Sequence, residues 1–147
     1  MGVVSTTAAV ALVSFAAPAS ASSEFGHCSA DGSMHYEFTV NYQVVGTRYR
    51  IDSYSYKIYG PIRDENNIRA HLVRRSTDAV VPGSEMKKDE FPESSNTTWT
   101  RVDIPDFYVG TNDSYVGAGW AKFDVAGPDP ECEAWTTPLR ASSSALS

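Results

Sequence analysis

The stretch MHYEFTVNYQVV, Met34 to Val45, constrains the fold more than any other part of the chain. Met34, Tyr36, Phe38, Val40, Tyr42 and Val44 share one parity, while His35, Glu37, Thr39, Asn41 and Gln43 share the other. Side chains of an extended strand point alternately to opposite faces, so the pattern predicts a long strand with one apolar and one polar face. Gly46-Thr47 then turns the chain. The next stretch, Arg48 to Tyr59, repeats the pattern with one interruption: Tyr49 and Ile51 are odd, whereas Tyr54, Tyr56 and Ile58 are even. One extra residue near Asp52-Ser53, a β-bulge, brings both sets to the same face. Tyr54 and Tyr56 are therefore expected in a core. Tyr59, beside Gly60-Pro61, is left on the side available to a partner.

Further strands follow. Ile68, Ala70 and Leu72 alternate with Arg69, His71 and Val73, and Arg69, Arg74 and Arg75 concentrate positive charge there. Charge of this kind reads as a guarded edge strand, with an anion-binding patch as the other reading. Ala79 to Val81 is a short apolar piece ending at Pro82-Gly83. Ser84 to Asn96 is polar, carries Pro92, and is expected to be the longest and most mobile loop. A strand over Thr97 to Ile104 is expected to stop at Pro105, with Phe107 and Val109 as a short continuation. The last strong strand is YVGAGWAKFDV, where Gly117 and Gly119 predict a bulge or a close backbone approach. No amphipathic helix of ten residues is present after the N-terminal run. The expected class is all-β: a compact antiparallel β-sandwich, immunoglobulin-like or jelly-roll-like, with a small barrel as the alternative.

The chain begins with an apolar run ending in Ala19-Ser20-Ala21, the small-x-small pattern of a cleaved signal peptide, although no Lys or Arg precedes Arg48. Residues 1–21 are read as that signal, 22–139 as one β-sandwich domain and 140–147 as a disordered tail. The run is too short to span a membrane, which takes about 20 apolar residues. A secreted, extracellular protein is expected, and in that setting Cys28 and Cys132 are expected to pair. Trp135 is expected to cap the core beside that bridge.

Composition narrows the function classes. The formal charge of −6 opposes nucleic-acid binding, which needs a basic stripe, and opposes adhesion to anionic lipid. His27 is read as a loop residue beside Cys28, while His35 and His71 fall on the polar faces of their strands. Gly-x-Ser-x-Gly and His-Glu-x-x-His are absent. Glu37, Asp52, Asp103, Asp106 and Asp124 are acids that a glycosidase pair would need, without a spacing that singles out two. No zinc set or other cofactor motif is found, and no metal site is assigned. The oxygen-rich loops offer weak calcium candidates at Asp64, Glu65, Asn66, Asp113 and Asp129. Such residues also serve plain turns. Two Asn-x-Ser/Thr sequons begin at Asn96 and Asn112.

Aromatic residues form 12% of the chain, with eight Tyr and three Trp. Trp99 lies on the parity opposite Val102 and Ile104, and Trp120 on the parity opposite Phe123 and Val125, so both are expected on outer faces, gathered on one sheet. With Tyr108, Tyr115 and Tyr59 they form the expected ligand-contact set, because Trp and Tyr offer an apolar ring with a polar handle. The reading that follows is a non-catalytic, monomeric binding module whose partner is an extracellular glycan or protein. The alternatives are a small secreted hydrolase using His71 or His35, or an inhibitor of a secreted enzyme presenting the Ser84–Asn96 loop.

Overall fold

The computed structural model describes residues 21–63, 65–91 and 98–141, with backbone only for 90 and 91. The expected signal segment through residue 20, Asp64, the loop tip 92–97 with its sequon at Asn96, and the tail 142–147 lie outside the described residues.

Nine strands follow one another without a helix among the described residues: β1 Ala21–Ala30, β2 Met34–Val45, β3 Arg48–Tyr59, β4 Asn66–Arg74, β5 Ala79–Val80, β6 Met86–Phe91, β7 Thr100–Gly110, β8 Tyr115–Lys122 and β9 Glu131–Trp135. They form two antiparallel sheets, β1-β2-β3-β7 and β5-β4-β8-β9, with β6 joining β4 beside β5. The two sheets pack face to face as a β-sandwich, and the barrel alternative falls because they remain separate.

The alternation of β2 sets the inner layer. Met34, Tyr36, Phe38, Val40 and Tyr42 are buried, and the residues between them are half-buried on the outer face. Across the Gly46-Thr47 turn, Val45 pairs with Arg48. Gly46 has φ 62°, which suits the first central position of a two-residue hairpin turn. The bulge expected in β3 is present: its registers with β2 and β7 both shift around Asp52, and Tyr49, Ile51, Tyr54, Tyr56 and Ile58 all face the core.

On the opposite sheet, β8 meets these rings with backbone. A Cβ on Gly119 would lie 2.7 Å from Phe38 Cε1 and 2.9 Å from Tyr36 Cε1, and one on Gly117 would lie 2.5 Å from Val40 Cγ2. The two glycines therefore mark a close approach rather than a bulge, and the Tyr36 and Phe38 rings stack 5.5 Å apart above them. At the side of the sandwich, β1 approaches β9. A Cβ on Gly26 would lie 2.9 Å from the Trp135 carbonyl carbon. Cys28 of β1 is bonded to Cys132 of β9, with 5.8 Å between their Cα atoms. In the chain-entropy picture a bridge closing a loop of roughly 100 residues contributes about 4 to 5 kcal/mol.

Several expectations are corrected. β4 is a central strand, not an edge, with β8 on one side and β5 and β6 on the other. Its charge is compatible with that position because Arg69 points to the outer face and meets Asp89 at 2.9 Å, while Arg74 sits at the strand end, 3.4 Å from Asp113. Within the expected loop, Met86–Phe91 is strand β6. Ser84 is buried, donating to the Val81 carbonyl and accepting from the Leu72 amide, and Met86 is buried in β6 opposite Ala70. Pro105 does not end β7. Ile51 pairs with Phe107 and Ser53 with Asp103, so residues 104–106 lie opposite the bulge, on a strand that is the sheet edge among the described residues, where a missing amide is tolerated. His27 is on β1, not in a loop. The Arg140 amide, at the start of the expected tail, donates to the Tyr42 hydroxyl at 3.0 Å.

Filling the glycine floor tests this packing. Gly119→Ala is expected to destabilise the fold by about 1–3 kcal/mol in urea titrations. Phe38→Leu is expected to recover part of that loss in the double variant but not by itself, and simple additivity of the two changes would contradict the proposed contact.

Candidate functional site

The outer face of the β5-β4-β8-β9 sheet collects the most distinctive side chains. Alternation turns Arg69, His71 and Val73 of β4 outward, with Val116, Ala118 and Trp120 of β8 and Glu131, Glu133 and Trp135 of β9. The cross-strand pairs are Arg69 with Trp120, His71 with Ala118, Trp120 with Glu133, and Ala118 with Trp135. The two tryptophans are thus diagonal neighbours on adjacent strands, flanking Ala118. Val73, Val116 and Ala118 form a small apolar cluster of their own on this outer side.

Small residues under large ones leave a hollow. A cavity of about 150 Å³ is lined by His71, Ala118, Gly119, Trp120, Glu133 and Trp135. His71 also lines a second hollow of about 230 Å³ with Arg69, Glu85 and Lys87. Trp135 lines a third, of about 440 Å³, with Val73, Val116 and Pro138. The shared walls make one shallow groove that crosses the strands.

The rings of this groove are held differently. Trp120 is half-buried: its indole N–H donates to Glu131 at 3.3 Å, and the Arg69 guanidinium lies 5.6 Å from its ring centre. Trp135 is 55% exposed, the largest value among the exposed large apolar side chains. It points to solvent instead of capping the core, which corrects the sequence expectation. Parity contained that information, because Trp135 lies three residues from the inward Cys132 and so faces the other way. His71 is half-buried, and burial lowers its pKa below the ordinary histidine value, partly opposed by the Glu85 carboxylate. Asp89, at the rim, is held below the usual carboxylate range by its hydrogen bond to Lys87 and by Arg69.

The expected contact set divides between the two sheets. Trp120 belongs to this groove. Trp99 precedes β7 and lies on the outer face of the other sheet, 43% exposed, with Phe25 and Lys57 against its ring. The expectation that both tryptophans share one sheet is therefore corrected: alternation within a strand does not say which sheet the strand joins. Tyr108 is exposed on the Trp99 side, with Arg48 4.8 Å over its ring. Tyr59 lies there too, stacked on His35 at 4.7 Å, with its hydroxyl donating to Glu37 at 3.1 Å. Tyr115 is only 2% exposed, packed in the core, and is removed from the contact set. It is in step with the inward Ala121 and Phe123 across the two glycines.

The other candidates are placed as follows. The Ser29 hydroxyl lies 2.7 Å from His35 Nδ1, two members of a hydrolytic constellation. Among the described residues no carboxylate forms a hydrogen bond or ion pair with either His35 or His71. Asn66 is 1% exposed and acts as a clamp, accepting from the Asp124 amide and donating to the Arg63 carbonyl. Glu65 is exposed. Asp113 accepts from Ser76 and pairs with Arg74, and Asp129 lies 3.7 Å from Lys122. Among the described residues no three His, Cys, Asp or Glu side chains gather as a metal-binding group.

In comparisons with protein-family models, curated proteins and solved structures, nothing matches this chain.

The half-buried His71 gives a pH signature. With its folded pKa below the ordinary value of about 6.5, the unfolded chain binds an extra proton between the two values. Stability contributed by neutral His71 is therefore full above about pH 6.5 and is lost as pH falls toward the lower folded value. Titration of the ring by NMR is expected to place its midpoint below 6.5, and Glu85→Gln is expected to lower it further. A midpoint at or above the ordinary value would contradict the burial described for this ring.

Proposed function

We propose that this protein is a secreted, non-catalytic binding module, and that it holds a glycan in the groove on the outer face of the β5-β4-β8-β9 sheet. The observation that carries the reading is the pair Trp120 and Trp135 on either side of Ala118. A sugar ring has apolar C–H faces and a rim of hydroxyls, so it fits an aromatic wall with polar groups at its edge. Here Trp120 and Trp135 supply the walls, Ala118 keeps the floor low, and His71 and Glu133 supply hydrogen-bonding groups at the rim.

The groove is partly preorganised. Glu131 and Arg69 fix the Trp120 ring, so little freedom is lost there when a ligand arrives. Both signs of charge line the groove, with Arg69 and Lys87 facing Glu85, Asp89 and Glu133, which favours an uncharged ligand over a polyanion. The disulfide is compatible with an oxidising compartment. Among the described residues no helix is long and apolar enough to cross a membrane.

Retention on insoluble polysaccharides tests the reading. Trp135→Ala and Trp120→Ala are each expected to weaken binding about tenfold or more, as truncation of a central aromatic contact does. Ala118→Leu is expected to weaken retention at least as much by raising the floor, while leaving urea stability close to that of the parent. Unchanged retention in all three variants would remove this groove as the site.

A further inference from the structure

We propose that the outer face of the β1-β2-β3-β7 sheet is a second glycan site, so that one chain holds two carbohydrate strands on opposite sides and cross-links them. The second site stands on its own residues, and only the bivalency rests on the groove described above.

Two ring pairs on this face are joined through one ammonium group. His35 stacks on Tyr59 at 4.7 Å, and Lys57 Nζ lies 5.6 Å from the Tyr59 ring and 5.3 Å from the Trp99 ring. Trp99 meets Phe25 edge-on at 6.2 Å. Phe25 and Trp99 remain 45% and 43% exposed, so the path presents apolar surface to solvent instead of sealing it. One step along β1 and β2 from Phe25 and its partner Thr39, the face becomes polar. A hollow of about 340 Å³ there is lined by Ser22, Ser23, Asn41, Gln43, Asp52 and Arg101.

An aromatic path that runs into a hollow of hydroxyl, amide, carboxylate and guanidinium groups matches a ligand with apolar faces and many hydroxyls. The charges do not favour a polyion. Lys57 is paired with Glu37 at 3.0 Å, and Arg101 with Asp103 at 2.7 Å. A protein partner is disfavoured by size, since a stable protein interface takes roughly 20–30 residues from each side and this path uses far fewer. Because the two sheets pack by their inner faces, this site and the groove look in opposite directions. No single ligand ring can touch both.

Four proteins separate the outcomes: the parent, Trp120→Ala/Trp135→Ala, Trp99→Ala/Tyr59→Ala, and the variant with all four changes. Retention is measured on cellulose, chitin and insoluble xylan, and turbidity on mixing with soluble β-glucan and xylan. The expected result is that both double variants are retained, each about tenfold or more weaker than the parent, that the fourfold variant is not retained, and that only the parent makes the soluble polymers turbid. If the Trp120/Trp135 variant loses all retention while the Trp99/Tyr59 variant binds like the parent, the second site is overturned and the groove stands. If the reverse is found, the groove is overturned and the second site stands without bivalency. No retention of the parent on any polymer overturns both. Phe25→Ala, at an exposed position, repeats the test of the second face should the Trp99/Tyr59 variant melt early.

Discussion

The contact on which the rest of the structure depends is the Phe38 ring against three glycines. Gly26, Gly117 and Gly119 each leave room where a Cβ would lie within 3.1 Å of that ring. Stacked sheets ordinarily sit about 10 Å apart, with side chains from both filling the space. Here β8 contributes backbone at two successive inward positions, so Tyr36, Phe38 and Val40 of β2 fill the layer at that point. The register then carries the consequence sideways. Gly26 pairs with Phe38 and Cys28 with Tyr36, while Gly119 pairs with Ala134 and Ala121 with Cys132. The close approach that admits the ring is thus two residue pairs away from the disulfide on both sheets. The bridge closes the side of the sandwich at the place where the two layers are already nearest.

Core tyrosines do a second job around this centre. Their rings lie in the apolar layer and their hydroxyls reach backbone carbonyls of the opposite sheet and of the segments beside it. Tyr54 donates to the Ser84 carbonyl at 2.7 Å, Tyr49 to the Leu139 carbonyl at 3.3 Å, and Tyr36 to the Arg69 carbonyl at 3.2 Å. A buried hydroxyl left without a partner costs about 1–3 kcal/mol, so the Tyr54 and Tyr49 pairings also fix where the irregular segments at Ser84 and Leu139 must run. Burial drives the Tyr36 and Tyr54 pKa values above the ordinary phenol value, and both stay protonated donors at any physiological pH. The segments so fixed are those that lead into β6 and away from β9, the strands that border the groove.

Period-two alternation made much of this visible before any coordinates. It read the inner set of β2 correctly, and it located the β3 bulge from a change of parity at Asp52-Ser53. It also gave the meaning of Gly117 and Gly119 as one of two choices. It failed wherever the answer depended on which strands become neighbours. The arginines of β4 looked like an edge because charge was seen and the flanking β6 and β8 were not. Met86 is an apolar residue in a largely polar segment, and it is buried opposite Ala70, a contact that no local pattern announces. Trp99 and Trp120 have the same parity argument and opposite locations, since sheet membership is a long-range property. Tyr115 and Trp135 are different: parity from Phe123 and from Cys132 contained both answers.

The same strand that seals the core also shapes the groove. On β8 the inward positions 117 and 119 are glycine, which brings the sheet down onto Phe38, and the outward positions between and beside them are Val116, Ala118 and Trp120. A strand with large residues on both faces would sit farther from β2 and would carry no hollow outside. With glycine inside and alanine outside, the strand is thin at its centre, and the tryptophans on either side stand above that low point. Core packing and groove depth are therefore set by one short sequence, Gly117-Ala118-Gly119. A change on its inner side moves the floor of the groove through backbone, whereas a change on its outer side fills the hollow and leaves the core as it was.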